Sequence, residues 1–416
     1  MPNKPTRIVI LGAGFGGVYA FKQLHKFFHN DPNVCLILVN SKNYFLFTPL
    51  LHEVATGGVS RENVVEPLRK VMGCCLAEFY LADVLKIELG NHRVITTKGV
   101  CSYDYLIVAL GAETNFYDTP GAKEHAFTLK SLESAVRLKN HFIKKFEEAA
   151  TVADAERLNS LLSFVVVGGG PTGVELAAEM AELFYETFGR YYRNSVAYSR
   201  VKIILLQSAS ELLPYFPKKF RKKSLEVLKS KKIEVRFGVR VKSMDAVSVE
   251  LASGERIFTE TAVWVAGVKP RDITFDQDVE KSNGGRIVVN AFLQMKFRPE
   301  VFILGDMAKF ITPDGKELPM LAQVASKEGV SVAKNISNML SGKALTPFFY
   351  HHSGDLISLG QWMAAAEIRS FFFWGHFTWW FWRTIYLYKL ISFQKKIKVA
   401  VDWTLHLFSP RDISQL

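Results

Sequence analysis

The chain has 416 residues, of which 49% are hydrophobic and 22% are charged, which is enough for two or three domains with full cores. This composition is ordinary for a globular protein and excludes a disordered chain. The net charge of +12 suits an anionic membrane or anionic cofactors. Because no nucleic-acid-binding motif accompanies that charge, we expect no nucleic-acid partner.

Near the start of the chain, the apolar run Ile8–Leu11 leads directly into a G-x-G-x-x-G motif. The run predicts a buried strand, and the glycines predict a tight turn into a helix over Val18–Phe28. A strand over Val34–Asn40 completes a unit that typically binds a dinucleotide, with the pyrophosphate at the helix N-terminus. The six residues of this first glycine motif are Gly12, Ala13, Gly14, Phe15, Gly16 and Gly17.

A second G-x-G-x-x-G motif follows the apolar run Phe164–Val167. It predicts a second unit of the same kind, with a helix over Val174–Leu183 and a strand over Val201–Gln207. Two such units predict two nucleotides, one held permanently and one exchanged. The second glycine motif consists of Gly168, Gly169, Gly170, Pro171, Thr172 and Gly173.

The second unit is predicted to be inserted within the first. A strand over Val301–Gly305 has the composition of a buried parallel strand and rejoins the first unit after the second one ends. We therefore predict an α/β fold with two Rossmann-like domains. Their predicted bounds are 1–118 and 271–347 for the discontinuous first domain, 119–270 for the inserted second domain, and 348–416 for a C-terminal region.

Dinucleotide-binding units usually carry an acid at the tip of the second strand, where it binds ribose hydroxyls. Here Asn40 and Ser41 end the first unit, and Gln207 ends the second. An amide still hydrogen-bonds a hydroxyl, though more weakly than a carboxylate, and it does not repel a 2′-phosphate. NADPH is therefore admissible beside NADH, and exclusive use of NADH remains the alternative.

Two further acids stand at positions where ligands bind. Asp306 follows the strand Val301–Gly305, at the edge where open α/β sheets bind ligands, and we expect it to accept a hydrogen bond from a flavin ribityl hydroxyl. Helix capping is its alternative role. Glu175 lies in the first turn of the second predicted helix, where favourable interaction of a carboxylate with the helix dipole is a sufficient reason for an acid. The other interpretation is that Glu175 faces the nicotinamide.

Three longer segments are more specific than the glycine motifs. They are Phe45–Gly57, which contains LLHEVATG, Val263–Val268, and Ala322–Gly329, which has the pattern A-Q-x-A-x-x-x-G. With these segments and Leu304–Asp306, the chain resembles the type II NADH dehydrogenases over essentially its whole length. These are single-subunit, non-proton-pumping NAD(P)H:quinone oxidoreductases that contain FAD.

The resemblance implies a role for individual residues. Glu175 and Gln323 become the catalytic candidates, with quinone approaching near Gln323 and the C-terminal segment. NADH or NADPH is implied on the second glycine motif (Gly168, Gly170, Gly173), Glu175 and Gln207. FAD is implied on the first glycine motif, Asn40, Ser41, Gly111, Asp306, Ala322 and Gln323, and Val84, Gly305 and Lys389 complete the cofactor-binding residues.

The cysteines exclude related enzymes that use thiols. They are Cys35, Cys74, Cys75 and Cys101, and none forms C-x-x-C. Disulfide reductases need a C-x4-C pair after the second strand, and sulfide:quinone oxidoreductases need later cysteines. We therefore expect buried reduced thiols, no metal site, and direct hydride transfer to the flavin.

The C-terminal region is unusually aromatic, since nine of the 12 residues Phe371–Trp382 are Phe or Trp. A helix is predicted over Thr384–Phe408, and residues 371–416 carry six Lys or Arg against two Asp. No apolar run is long enough to span a membrane. We predict a monotopic anchor on an anionic leaflet, with an aromatic core or a homodimer interface as alternatives.

These features predict a membrane-associated enzyme that transfers a hydride from NADH or NADPH to FAD and two electrons to ubiquinone or menaquinone. Because the first strand leaves no room for a signal peptide, we expect it on the cytoplasmic face of a bacterial-type inner membrane. Two alternatives remain. One is a flavin-dependent reductase or oxidase with a soluble acceptor, and the other is a non-catalytic nucleotide-sensing membrane protein.

Overall fold

The computed structural model describes residues 4–73, 77–196 and 198–415. The chain forms two compact units, each built from three segments. Unit 1 comprises Met1–Leu46, Val65–Glu113 and Val268–His352, and unit 2 comprises Phe47–Val64, Thr114–Gly267 and Ser353–Leu416.

The helices of the described residues are numbered here in chain order. A π-helical stretch, Glu182–Phe188, continues α7 into α8. The bounds are α1 Phe15–Phe28, α2 Leu51–Ala55, α3 Leu68–Met72, α4 Ala122–His125, α5 Leu132–Ala149, α6 Ala155–Leu161, α7 Pro171–Ala181, α8 Gly189–Tyr191, α9 Lys218–Ser230, α10 Ala322–Leu340, α11 His376–Lys389 and α12 Phe393–Phe408.

Unit 1 is built on a six-stranded, mostly parallel sheet. Its central strands contain buried apolar runs at residues 8–11, 36–39, 106–108 and 301–303, as expected of parallel strands covered on both faces. A four-stranded sheet of Thr274–Phe275, Val84–Glu88, Arg93–Thr96 and Gly99–Ser102 shares its core. The order of the large sheet is Gln294–Met295, Arg298–Ile303, Tyr105–Val108, Thr6–Leu11, Val34–Asn40 and Ala77–Leu81.

Unit 2 contains a five-stranded parallel sheet and two small antiparallel sheets. The parallel sheet has the order Phe127–Thr128, Thr261–Trp264, Ser163–Val167, Lys202–Gln207 and Ile233–Phe237. One small sheet consists of Val241–Met244, Ser248–Leu251 and Arg256–Phe258, and the other of Asp355–Ser358, Ala364–Ile368 and Phe371–Gly375.

The two parallel sheets and their helices agree with the predicted α/β architecture. The compact units differ from the predicted domain bounds most clearly in one segment. Phe47–Val64 was predicted to lie within the first domain, residues 1–118. In the structure it groups with unit 2. Its helix α2 packs against α5 and α7 of that unit. These contacts join residues distant in sequence, so no local sequence pattern predicts them.

The C-terminal region also differs from prediction. The single helix expected over Thr384–Phe408 is wrong, because the backbone is extended at Leu390 and Ser392 begins a new helix. The Ser392 side chain caps α12 by accepting a hydrogen bond from the Lys395 amide at 3.3 Å. Before α11, Phe371–Gly375 forms a strand that pairs antiparallel with Ala364–Ile368.

The aromatic residues of this region divide between core and surface. Trp379, Trp382 and Trp403 are at most 3% exposed, so part of the aromatic cluster is core. Phe377 and Phe393 are more than three-quarters exposed. Among the helices of the described residues, none is both long enough and apolar enough to cross a membrane.

Candidate active site

The first glycine loop joins the strand Thr6–Leu11 to α1 in unit 1. Gly12 has φ +94°, and a Cβ there would lie 2.3 Å from the Ala109 carbonyl oxygen, so the turn requires glycine. At Gly14, the N-cap of α1, a Cβ would meet no described atom within 4 Å. The backbone around Gly12 therefore leaves no room for a side chain, whereas the space beside Gly14 at the helix N-terminus is open among the described atoms. A pyrophosphate fits such an opening, because the first backbone N–H groups of the helix point into it.

The second glycine loop has the same construction in unit 2. Gly168 has φ +119°, and a Cβ there would lie 2.5 Å from Ala266 Cα. Gly170, the N-cap of α7, again leaves open space among the described atoms, while a Cβ on Gly173 would lie 1.9 Å from the Gly168 oxygen. The two motifs thus produce two loops of equivalent construction, each open at a helix N-terminus, which we call the glycine cradles.

The amides at the two strand tips stabilise these loops. Asn40 Oδ1 accepts a hydrogen bond from the Ala13 amide at 2.9 Å, and Gln207 Oε1 accepts one from the Gly169 amide at 3.1 Å. In both loops the donor is the second residue of the motif. The amide nitrogens are also occupied, since Gln207 Nε2 donates to the Glu211 oxygen at 3.1 Å. The two amides hold their glycine loops by these hydrogen bonds. Their binding of ribose hydroxyls remains a prediction.

The Gly305–Asp306 turn of unit 1 is held by a residue that the sequence did not single out. Gly305 has φ +66°, and its amide donates to Glu328 Oε2 at 2.5 Å. Burial raises the pKa of Glu328 to about 7, and Asp306 acts in the same direction. Helix α10, which carries Glu328, packs closely against α1. A Cβ on Gly329 would lie only 2.4 Å from the Gly16 oxygen. This contact explains why the A-Q-x-A-x-x-x-G motif ends in glycine.

Gln323 lies in the first turn of α10, partly exposed. Its Nε2 is 3.5 Å from His352 Nδ1, and the Tyr350 hydroxyl is 3.1 Å from the same ring nitrogen. Gln323 is therefore oriented by residues at the end of unit 1.

Glu175 is buried in the first half of α7 in unit 2. Its Oε1 accepts a hydrogen bond from the Ser358 amide at 3.2 Å, and its Oε2 lies 3.7 Å from His52 Nδ1. Burial, followed by the nearby carboxyls of Glu53 and Glu179, raises the pKa of Glu175 well above its usual range. His52 has its pKa lowered to about 4 by burial, so at neutral pH it is uncharged. Glu175 is therefore a neutral acid that can both donate and accept a hydrogen bond.

The predicted site residues divide between the two units. Lys389 is the last residue of α11, with its ammonium 5.9 Å from the Tyr386 ring centre. Unit 2 holds Gly168, Gly170, Gly173, Glu175, Gln207 and Lys389. Unit 1 holds Gly12 to Gly17, Asn40, Ser41, Val84, Gly111, Gly305, Asp306, Ala322 and Gln323.

Comparison with known proteins identifies the family. A family model described as pyridine nucleotide-disulphide oxidoreductase matches residues 6–329, and one described as NDH2 C-terminal domain matches residues 352–412. The type II NADH:quinone oxidoreductase Ndh of Mycobacterium tuberculosis is 32% identical over 99% of this chain and 90% of its own length. The chain belongs to the type II NADH:quinone oxidoreductases.

Other relatives agree with this assignment. The probable NADH dehydrogenase of Dictyostelium discoideum is 32% identical over 98% of this chain and 91% of its own length. The structure of NDH2 from Plasmodium falciparum in complex with NADH has a TM-score of 0.90 at 20% identity, covering 99% of this chain and all of that one. The predicted family, fold class and enzyme class, an FAD-dependent oxidoreductase, are confirmed.

The thiols described in this type II NADH:quinone oxidoreductase are poor nucleophiles. Burial raises the pKa of both Cys35 and Cys101, which disfavours the reactive thiolate. The two adjacent cysteines, Cys74 and Cys75, lie outside the described residues.

Sequence reasoning missed most of the charged groups around Glu175. Three acids, Glu53, Glu179 and Glu182, are each at most 5% exposed. Glu175, Glu179 and Glu182 have the spacing i, i+4 and i+7, and such a helical face of acids is normally solvated, so the spacing alone does not reveal burial. The sequence does not show that a distant cation, Arg411, pairs with this face. Arg411 Nη2 lies 2.6 Å from Glu179 Oε2.

Proposed function

We propose that this enzyme oxidises NADH or NADPH and reduces a membrane quinone, with FAD bound in unit 1. The observation that carries the proposal is the pair of glycine cradles, each with open space at a helix N-terminus. The names of the relatives support NADH as donor and a quinone as acceptor. Hydride acceptance from nicotinamide and two-electron transfer to quinone are the chemistry that bound FAD supplies.

In unit 1, the N-terminus of α1 at Gly14 would bind the FAD pyrophosphate. Asp306, whose backbone turn is held by Glu328, would accept a hydrogen bond from a ribityl hydroxyl. Gln323, oriented by His352, would contact the flavin edge and the quinone. These residues position and polarise, and none needs to form a covalent bond.

In unit 2, the N-terminus of α7 at Gly170 would bind the NADH pyrophosphate. Glu175 lies on the same helix, and in this proposal the nicotinamide half of the nucleotide would extend toward it. A neutral carboxyl is suited to the nicotinamide carboxamide, because that group both donates and accepts. Neutral Glu175 also adds no negative charge beside the hydride donor.

The C-terminal region supplies the proposed membrane contact. We define the aromatic face as the exposed apolar residues of α11 and α12, which lie beside exposed Lys389 and Lys398. Aromatic and basic side chains together suit the headgroup region of an anionic leaflet. We place this contact on the cytoplasmic side, where NADH is available. The aromatic face contains Phe377, Trp380, Tyr388, Phe393, Ile397, Val401, Leu405 and Phe408.

The test uses the flavin-loaded enzyme and anionic phospholipid vesicles that contain an isoprenoid quinone. We expect F377S/F393S to lower NADH-dependent reduction of the vesicle quinone at least about tenfold. The reason is that each Phe→Ser change removes about 1.5–3 kcal/mol of membrane burial. With a water-soluble short-chain quinone, the rate should stay within about twofold of wild type.

Phe297→Ser is the matched control, since Phe297 is 87% exposed but lies in unit 1. Equal vesicle rates for F377S/F393S and wild type would contradict the membrane contact. If the double variant instead changes from dimer to monomer by light scattering and still binds vesicles, the face is a subunit interface. Removal of residues 371–416 is a poorer test, because it also takes away Trp403 and Arg411, which bind buried carboxylates.

A further inference from the structure

Three buried carboxyls lie along one side of the helix that carries the second glycine loop. We call Glu175, Glu179 and Glu182 the carboxylate row. Their spacing of i, i+4 and i+7 places them on one helical face, running from α7 into the π-helical stretch. None is more than 8% exposed. A buried ionised carboxylate is costly unless it is paired, so the partners decide which member of the row is charged.

The members of the row have different partners. Glu182 pairs with Lys231 Nζ, and Glu179 pairs with Arg411 Nη2 at 2.6 Å. The side chains of Arg411 and Glu179 are only 11% and 6% exposed. Glu175 has an amide donor, that of Ser358, and a neutral imidazole, that of His52. These partners therefore stabilise Glu179 as a charged carboxylate and Glu175 as a neutral carboxyl.

Arg411 is fixed by several contacts within unit 2. Its Nη1 donates to the Thr56 oxygen at 3.3 Å, and the next residue, Asp412, lies 3.7 Å from Lys139 Nζ. Upstream, His406 Nδ1 is 3.1 Å from the Gly58 oxygen. The end of the chain is thus tied to the segment that contains the LLHEVATG motif, and its guanidinium is directed at the row.

The charged groups around the row come from several elements. Glu53 on α2 accepts a hydrogen bond from Trp403 Nε1 at 2.5 Å, and burial raises the pKa of Glu53 to about 7. Arg383 on α11 has its pKa lowered to about 10 by burial, and it acts on both Glu53 and Glu179. For Glu179 itself, burial opposes ionisation, but Arg411, together with His52 and Lys231, outweighs burial and lowers the pKa.

A cavity lies at the far end of this row. A cavity of about 520 Å³ lies elsewhere in unit 2, but a smaller one of about 220 Å³ is lined by Glu182, Glu186, His406 and Arg411. Proton exchange between solvent and the row can begin there. The proposed reaction converts NADH, one proton and a quinone to NAD⁺ and a quinol, so each turnover takes one proton from water.

We propose that Arg411 is a positioning residue for this reaction, because it holds Glu179 as a carboxylate, and the negative charge of Glu179 keeps Glu175 in its neutral form. The inference rests on the proposed function. Arg411 touches neither nucleotide nor quinone in this account, and it acts through Glu179. Without Arg411, Glu179 binds a proton, its charge no longer raises the pKa of Glu175, and a fraction of the enzyme has ionised Glu175 at neutral pH.

The test is the pH profile of kcat/KM for NADH in the flavin-loaded enzyme, with a short-chain quinone as acceptor. In R411Q we expect nearly wild-type values at mildly acid pH, where both carboxyls are protonated. Toward mildly alkaline pH the value should fall to about one-tenth of wild type, since one pKa unit corresponds to a tenfold change in protonation. R411K retains the cation and should keep the wild-type profile.

A second variant separates positioning from folding. In R411Q/E179Q position 179 is neutral, as it is in R411Q with Glu179 protonated, so the alkaline loss should be no larger than in R411Q even if the protein is less stable. E179Q alone should show the same alkaline loss, because it removes the negative charge that raises the pKa of Glu175. R157Q, which removes an exposed Arg–Glu pair in the same unit, is the matched control.

Two results would overturn the inference. One is an R411Q profile parallel to wild type at every pH, and the other is an E179Q profile that keeps the wild-type shape. If R411Q does not fold, the E179Q and R411K profiles still decide, because an E179Q profile of wild-type shape or an alkaline loss in R411K contradicts the mechanism. A wild-type enzyme that reduces no quinone refutes the proposed function instead, which is a separate outcome.

Discussion

At the scale of single residues, Glu328 makes a specific prediction for stability against pH. Its pKa is raised by burial from 4.5 to about 7 in the folded protein. Between these pH values the unfolded chain has lost the proton while the folded protein still holds it. Folding stability therefore falls as pH rises through this window, by about 3 kcal/mol from this group at 1.36 kcal/mol per pKa unit.

The variant E328Q removes this titration and keeps an oxygen for the Gly305 amide. We expect its free energy of unfolding, measured by denaturant titration of the flavin-loaded protein, to vary less between pH 4.5 and 7 than that of wild type. E280Q, at an exposed ion pair with Lys296, serves as control and should leave the slope unchanged. An E328Q slope equal to that of wild type would contradict the assignment.

Gln207 makes a second prediction, on cofactor preference. In Q207E an oxygen can still accept from the Gly169 amide, so the loop is retained. The added negative charge should repel a 2′-phosphate and favour a ribose hydroxyl. We expect the ratio of kcat/KM for NADH to that for NADPH to rise about tenfold, equivalent to about 1.4 kcal/mol.

The control for this change is Q277E, which adds the same charge at an exposed site in unit 1. An unchanged ratio in Q207E would mean that Gln207 only holds the loop and does not contact the ribose.

At the scale of elements, the sequence predicts what local rules decide. The glycine loops follow from residues that need positive φ or leave no room for a Cβ, so the motifs locate both cradles. The break between α11 and α12 was missed although Ser392 is a good N-cap, because apolar residues at helical spacing lie on both sides of it, among them Leu387, Ile391 and Ile397. The strand Phe371–Gly375 was missed because its partner strand, not its composition, sets its structure.

The carboxylate row is the clearest example of what local rules leave out. Glu175, Glu179 and Glu182 have the spacing of an ordinary solvated helix face, and their burial depends on groups far along the chain. Arg411 is 232 residues from Glu179. A buried charge needs a partner, but the sequence does not say which of the many cations supplies it. Contact between distant segments therefore decided the chemistry of this site.

At the scale of the whole molecule, the net charge of +12 and the aromatic face predict how membrane binding responds to salt. Each Lys near an anionic surface contributes about 1 kcal/mol, and this attraction fades as the Debye length falls from about 10 Å at 0.1 M salt to about 3 Å at 1 M. Burial of aromatic side chains does not depend on such screening. Binding to anionic vesicles should therefore weaken at high salt without being abolished, and the weak binding to neutral vesicles should change little.

The measurement is co-sedimentation with vesicles of each composition at low and high salt. K389Q/K398Q should lose part of the salt dependence, because both residues are exposed beside the aromatic face, whereas K98Q in unit 1 should keep it. Arg383 contributes little to this attraction, since its guanidinium lies 3.6 Å from the Trp379 ring centre and is mostly buried. Salt-independent binding to anionic vesicles would show that the aromatic side chains act alone and that the basic charge serves the bound nucleotides instead.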